Sequence, residues 1–282
     1  MFAKVYQKHF VAVLTPIYDR VEAEQFFFLI LENDYQMRRI DWALMTDFAL
    51  DEAQLTRWNF LLQSLSAQVP IQYLLGKTEF FGLTFEVSSS VLIPRPETEE
   101  LVQWILSEAE HLENPTILDI GTGSGCIPIT LAKNLPKAQV SAIDISEDAL
   151  QMARKNARIN QVSVAFIQQD ILQTEKLNNT YNIIVSNPPY VRELEKAEIR
   201  PNVLEHEPHL ALFVPDDDPL KFYRKIAELA LVHLQPKGLL FFEINQYLGM
   251  QTIQLLLEIG FESIELRKDL YGNDRMIRSV KP

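Results

Sequence analysis

From Pro115 onward the chain alternates between short apolar runs and longer amphipathic stretches. The runs 116–120, 139–143, 162–167, 181–186, 238–244, 261–266 and 276–280 have the length and β-branched or aromatic content of strands. Between most of them lie stretches with apolar residues at steps of three and four, notably 146–159 and 220–234, which predict helices. Strand and helix in turn predict an α/β fold with a doubly wound, mostly parallel, seven-stranded sheet. The front of the chain has another rhythm. Leu55, Trp58, Leu62 and Leu65 recur at three- and four-residue steps after an acidic start at Asp51 and Glu52, similar but looser spacing runs through 3–17 and 20–33, and residues 1–75 hold no glycine. A small N-terminal helical bundle follows from this, with Trp42, Trp58 and the run Phe26, Phe27, Phe28 as its core rather than a cofactor site. Between the two regions, Phe80, Phe81, Gly82, Leu83, Phe85 and Val87 alternate about a glycine as a β-hairpin does. The expected organisation is a helical domain over 1–75, a hairpin linker over 76–95 and an α/β domain over 96–282. Pro94 and Pro96 argue against a helix there, and Thr98 is the expected cap of the helix marked by Leu101, Val102, Ile105 and Leu106.

Three of the nine glycines fall within five residues, directly after the first α/β strand: Asp119, Ile120, Gly121, Thr122, Gly123, Ser124, Gly125. A ligand binds at this place in a doubly wound sheet, since glycines admit a close backbone approach and the next helix offers its amino terminus. The dinucleotide fingerprint Gly-x-Gly-x-x-Gly needs glycine at 126, where Cys126 stands. The alternating form instead resembles the first motif of class I methyltransferases, whose ligand is S-adenosylmethionine. Asp144 closes the second strand, where an acid can accept both ribose hydroxyls. In that family an acid placed like Asp170 takes the adenine amino group, with the next residue, here Ile171, against the ring. Either acid alone reads equally as a helix cap or turn; the three acids at successive strand ends gain weight from the glycine loop beside them.

The fourth strand runs straight into Asn187, Pro188, Pro189, Tyr190. Two prolines fix φ and supply no N–H, so nearby carbonyls stay free to face a ligand; the Asn side chain adds another carbonyl and the tyrosine an aromatic ring. Such a hook suits holding a planar NH2 group by both hydrogens. An isolated match reads as a proline-rich turn, and even a genuine hook leaves a nucleic-acid adenine and a protein glutamine both open as acceptors. The rest of the chain resembles the release factor glutamine methyltransferase family over nearly its full length. The resemblance is carried by Pro70, Gln72, Tyr73, Gly76 and Phe80, by the segment Leu92, Ile93, Pro94, Arg95, Pro96, Glu97, Thr98, Glu99, by Glu207, Pro208, Ala211 and Leu212, and by Asp269, Gly272 and Arg275. It implies a Rossmann-like methyltransferase sheet and methyl transfer to the N5 amide nitrogen of the glutamine in the Gly-Gly-Gln motif of class I peptide chain release factors. The helical front domain would help to grip that protein.

Under that resemblance, Gly121, Thr122, Gly123, Ser124, Gly125, Asp144, Asp170, Ile171 and Asn187 are the candidate cofactor residues. Asn187, Pro188, Pro189 and Tyr190 are the acceptor residues, with Asn187, Pro188 and Tyr190 as the catalytic ones. The chain departs from the family at Ile171, where an aromatic residue is common, and at Asp216, Asp217, Asp218, Pro219, where glycine-bearing sequence is usual.

Charge bears on the choice of acceptor. With 38 acidic and 26 basic residues the net charge is −12, a field that repels nucleic acid and does not attract an anionic membrane. A single cysteine among 282 residues gives no disulfide framework or cysteine metal cluster, and no apolar run approaches the length of a membrane span, so a cytoplasmic protein is expected. His206, Glu207 and His209 surround Pro208 and read as a loop rather than a metal site. Arg95 reads either as an organiser of the pocket or as half of a salt bridge.

Overall fold

The computed structural model of the protein describes residues 2–45 and 47–282. The chain forms two compact units, residues 1–76 with 201–206, and residues 77–200 with 207–282. In the first, the described residues before the hairpin form α1 (Ala3–Leu14), α2 (Arg20–Tyr35), α3 (Arg39–Leu44), α4 (Glu52–Ser66) and α5 (Ile71–Leu75), and the longer α2 and α4 start at acidic caps. Asp19 accepts the Glu22 N–H at the head of α2, and Asp51 with Gln54 forms a capping box at the head of α4. The expected aromatic core is present: Phe10, Phe27 and Trp58 are buried, with the Phe27 and Trp58 rings 4.8 Å apart. Trp58 satisfies its indole N–H on the Tyr35 hydroxyl at 3.0 Å.

The second unit opens with the hairpin β1 (Lys77–Phe80) and β2 (Leu83–Glu86). Its two-residue turn has Phe81 at φ 52° and Gly82 at φ 70°, the left-handed pair that matches strand twist. Phe80 and Phe85 are buried in the core with Leu101 and Ile105, so the hairpin is packed structure of this unit. Helix α6 (Pro96–Ala109) begins two residues before Thr98. Pro96 takes its first turn, where the missing N–H costs nothing, and Thr98 is therefore not the cap.

Then follow β3 (Thr116–Ile120), α7 (Cys126–Asn134), β4 (Gln139–Asp144), α8 (Glu147–Ile159), β5 (Ala165–Gln168), β6 (Tyr181–Ser186), the short β7 (Val191–Arg192), α9 (Pro201–His206), the short β8 (Phe213–Val214), α10 (Lys221–His233), β9 (Leu234–Glu243), α11 (Gly249–Ile259), β10 (Glu262–Lys268) and β11 (Asp274–Val280). Helix α9, in the first unit, ends at His206; Glu207 and Pro208 form the expected loop beyond it, and His209 opens a single 3-10 turn, so only the His206 end of that stretch is helical.

The sheet has seven strands in the order β10-β11-β9-β6-β3-β4-β5, all parallel except β11. Alternation divides each central strand between two cores. Ile117, Ile183, Val185 and Phe241 face one, with residues of α6 and α7; Leu118, Ile184, Leu240 and Phe242 face the other, with residues of α10 and α11. Two predicted boundaries move. β5 begins three residues late because Gln161, at φ 57°, ends α8 and spends 162–164 on the return. β9 begins at Leu234, and its register against β6 slips before Ile183, in the stretch where Lys237 sits at φ 62°. From β3 the chain steps outward through β4 and β5 and then returns to β6 on β3's other side. This reversal opens a crevice at the carboxyl ends of β3 and β6.

Candidate active site

The glycine loop leaves β3 and is tied to β4. The Gly121 and Thr122 N–H groups donate to Ile143 O at 2.9 and 3.1 Å, and the Gly123 N–H donates to Asp144 Oδ2 at 2.8 Å. Asp144 Oδ1 accepts the Ser146 N–H at 2.9 Å. Burial pushes the Asp144 carboxyl upward, and these backbone donors oppose the shift. Gly121 and Gly123 adopt φ of 77° and 53°, and a Cβ on either would meet nothing within 4 Å. Gly125, at φ 82°, is different: its Cβ would lie 2.8 Å from Ile129 Cδ1 and 3.0 Å from Ala153 Cβ, so it permits the close approach of α7 and α8.

Beneath the loop, Asp119 is fully buried, and neither of its carboxylate oxygens nor Thr122 Oγ1 has a hydrogen-bond partner. Burial pushes the Asp119 carboxyl up to about 7; the Thr122 hydroxyl, close by but out of hydrogen-bonding geometry, opposes the rise weakly and the Asp144 charge adds to it. Asp170 caps the single 3-10 turn Ile171–Gln173, accepting the Leu172 N–H at 2.9 Å.

A cavity of about 260 Å³ gathers most of the predicted residues. Gly121, Thr122, Gly123, Ser124, Asp144, Asp170, Ile171, Asn187, Pro188 and Pro189 line it. Gly125 and Tyr190 do not. The Tyr190 hydroxyl donates instead to Glu243 Oε1 at 3.1 Å, and burial pushes its pKa upward. Its carbonyl accepts from Asn245 Nδ2 at 2.9 Å, and the same nitrogen donates to Glu195 at 2.8 Å.

Two residues at the acceptor end were not foreseen in these roles. Thr98 lines the cavity and donates its hydroxyl to Glu243 Oε2 at 2.6 Å, while Asn187 Nδ2 donates to Thr98 Oγ1 at 3.3 Å. Glu243 is buried at the end of β9, and burial pushes its carboxyl upward. Its one sequence signal is a lone acid closing the run Leu239, Leu240, Phe241, Phe242. Arg95 pairs with the buried Glu207 at 2.5 Å, and Glu207 also accepts the Ile93 N–H at 3.2 Å. Arg95 is thus half of a salt bridge while also lining the cavity. His206 meets the Ala67 carbonyl at 3.1 Å, and no group of three potential ligands able to hold a metal occurs among the described residues. In the 216–219 loop, Asp216 accepts the Leu194 N–H and Asp218 pairs with Arg224.

This geometry has known counterparts. The methyltransferase small domain family matches residues 98–209, the stretch that holds the glycine loop and the hook. A methyltransferase from Pyrococcus furiosus shares the fold, at 19% identity over 82% of this chain and 99% of that one with a TM-score of 0.53. The release factor glutamine methyltransferase of Flavobacterium psychrophilum is 57% identical over 281 residues, 99% of either chain. That of Bacteroides thetaiotaomicron is 45% identical over 265 residues, 94% of this chain and 95% of the other. At 57% identity over 99% of both chains, the chain belongs to the release factor glutamine methyltransferase family.

Proposed function

We propose that the protein methylates the N5 amide nitrogen of the glutamine in the Gly-Gly-Gln motif of class I peptide chain release factors, with S-adenosylmethionine as donor. The observation that carries this reading is the side chain of Asn187: it lines the cavity and spends its N–H on Thr98, so its carbonyl oxygen is left as an acceptor for an NH2 group. When bound, S-adenosylmethionine supplies an electrophilic methyl group on a sulfonium sulfur. The residues present fit it. Gly121 and Gly123 leave open space where side chains would stand, and the carboxylates of Asp144 and Asp170 line the same cavity as acceptors for hydroxyl and amino groups. Residues 121–124 would hold the amino-acid end, Asp144 the ribose hydroxyls, Asp170 the adenine amino group and Ile171 the ring face.

An amide nitrogen is a poor nucleophile because its lone pair is delocalised into the carbonyl. This chain's contribution is therefore mainly placement. Asn187 Oδ1 and the Pro188 carbonyl each accept one amide hydrogen, which polarises the NH2 group and fixes the direction of its lone pair. Orientation of this kind supplies several kcal/mol, up to roughly 7–11 in the best intramolecular systems. Carbonyl dipoles facing the developing positive nitrogen add an electrostatic share. Pro188 and Pro189 keep the hook rigid, and Tyr190, anchored on Glu243, holds it from behind. The methylated nitrogen then releases its extra proton to water. The helical unit is assigned to gripping the protein substrate, and the cytoplasm, where translation terminates, is the expected setting.

The competing acceptor is the N6 amino group of adenine in a nucleic acid. A net charge of −12 opposes the phosphate contacts such a substrate needs. Labelled S-adenosylmethionine offered together with a purified class I release factor and an adenine-containing oligonucleotide should label the protein, with little dependence on salt. Label in the oligonucleotide would overturn the reading.

A further inference from the structure

We propose that Thr98, held by Glu243, is a positioning residue that decides which end of the Asn187 side-chain amide faces the substrate; the inference rests on Asn187 being the acceptor for the substrate NH2. Three elements meet here. Thr98 stands in the first turn of α6, Glu243 ends β9, and Asn187 follows β6, the neighbour of β9 in the sheet.

The polarity of the hydrogen bonds carries the argument. As a carboxylate Glu243 only accepts, and it receives two hydroxyls, Thr98 at 2.6 Å and Tyr190 at 3.1 Å. Burial and the Glu97 charge push this carboxyl upward, and the two hydroxyl bonds with the Arg275 charge oppose that rise. A hydroxyl has one proton, so Thr98, having given its own to Glu243, can only accept from Asn187. The group facing Thr98 must then be the amide NH2, with Asn187 Nδ2 at 3.3 Å, and Oδ1 is left on the other side. With the hydroxyl free to donate, the Asn187 amide could turn over. It would then present NH2 to the substrate's NH2, donor against donor. Thr98 therefore touches the reaction only through Asn187, and its partner lies 145 residues away in the chain.

The test uses the full-length protein, S-adenosylhomocysteine affinity and single-turnover methylation of a purified release factor. Thr98→Val keeps the shape and removes the hydroxyl; kcat should fall about 10- to 100-fold while S-adenosylhomocysteine affinity stays within about twofold of wild type. Thr98→Ser, which restores the hydroxyl, should return kcat to within about threefold. In an Asn187→Ala background Thr98→Val should cost nothing further, the signature of a residue that acts through another. Should Thr98→Val fold poorly, Glu243→Met serves in its place: it fills the buried site but offers neither carboxylate oxygen, so the Thr98 hydroxyl loses its acceptor, and kcat should drop with cofactor affinity kept. Wild-type kcat in either variant overturns the proposal, as does an equal further loss in the Asn187→Ala background. A wild-type protein that leaves the release factor unmodified overturns the functional reading and this role together.

Discussion

Asp119 lies out of water with no hydrogen-bond partner for either oxygen, and its pKa rises from 3.8 to about 7. The folded chain thus holds this proton more tightly than the unfolded chain, and stability falls as pH rises between about 4 and about 7, by on the order of 4 kcal/mol in all. Replacing Asp119 with Asn should remove that part of the pH dependence and leave the variant more stable than wild type at pH 8, read from denaturant midpoints. Equal midpoints for the two proteins across that range would contradict the buried, unpaired carboxyl. A second expectation concerns Asp144, whose two oxygens already hold the Gly123 and Ser146 N–H groups. Asp144→Ala should weaken S-adenosylhomocysteine binding about ten- to a hundredfold, the loss of a charged hydrogen-bond partner, and unchanged affinity by calorimetry would refute its ribose role. Much of this chemistry was legible in the sequence because it is local: the glycine loop, Asp144 and the hook each sit at the end of an apolar run. Thr98 was legible only as a helix cap, and Glu243 not at all as a partner. Their bond joins distant parts of the chain, and no local pattern encodes such a pairing.

Among the elements, the tightest constraint is the contact of α7 with α8 across Gly125. Gly125→Ala would place a methyl 2.8 Å from Ile129 Cδ1 and 3.3 Å from the Ala153 Cα, in a backbone conformation that L side chains rarely adopt. A loss of about 1–3 kcal/mol is expected, with the denaturant m-value unchanged. Gly121→Ala meets no protein atom within 4 Å, but its φ of 77° strains any L side chain, so a fall in cofactor affinity should come with a smaller stability loss than at Gly125. A Gly125→Ala protein as stable as wild type would show that the helices can part at little cost. The strand and helix sequence followed from hydrophobic period, since two-sided burial gives central strands such as 181–186 a continuous apolar character. Boundaries were less legible. Prolines that seemed to bar a helix instead begin α6, and the slip in β9 reflects backbone conformation near Lys237 that apolar spacing does not record.

The whole molecule carries a methyltransferase sheet and a helical unit whose core mixes aromatic rings with leucine and isoleucine, in a chain of net charge −12. The acidic balance favours a protein acceptor over a phosphate backbone, which agrees with the release factor substrate proposed above. The most direct measurement is mass spectrometry of a purified class I release factor incubated with the enzyme and S-adenosylmethionine, alongside an Asn187→Ala control that should still bind the cofactor. One added methyl group on the glutamine of the Gly-Gly-Gln peptide, lowered by orders of magnitude in the control, is the predicted result. An unmodified glutamine, or equal methylation by the Asn187→Ala protein, would contradict the account.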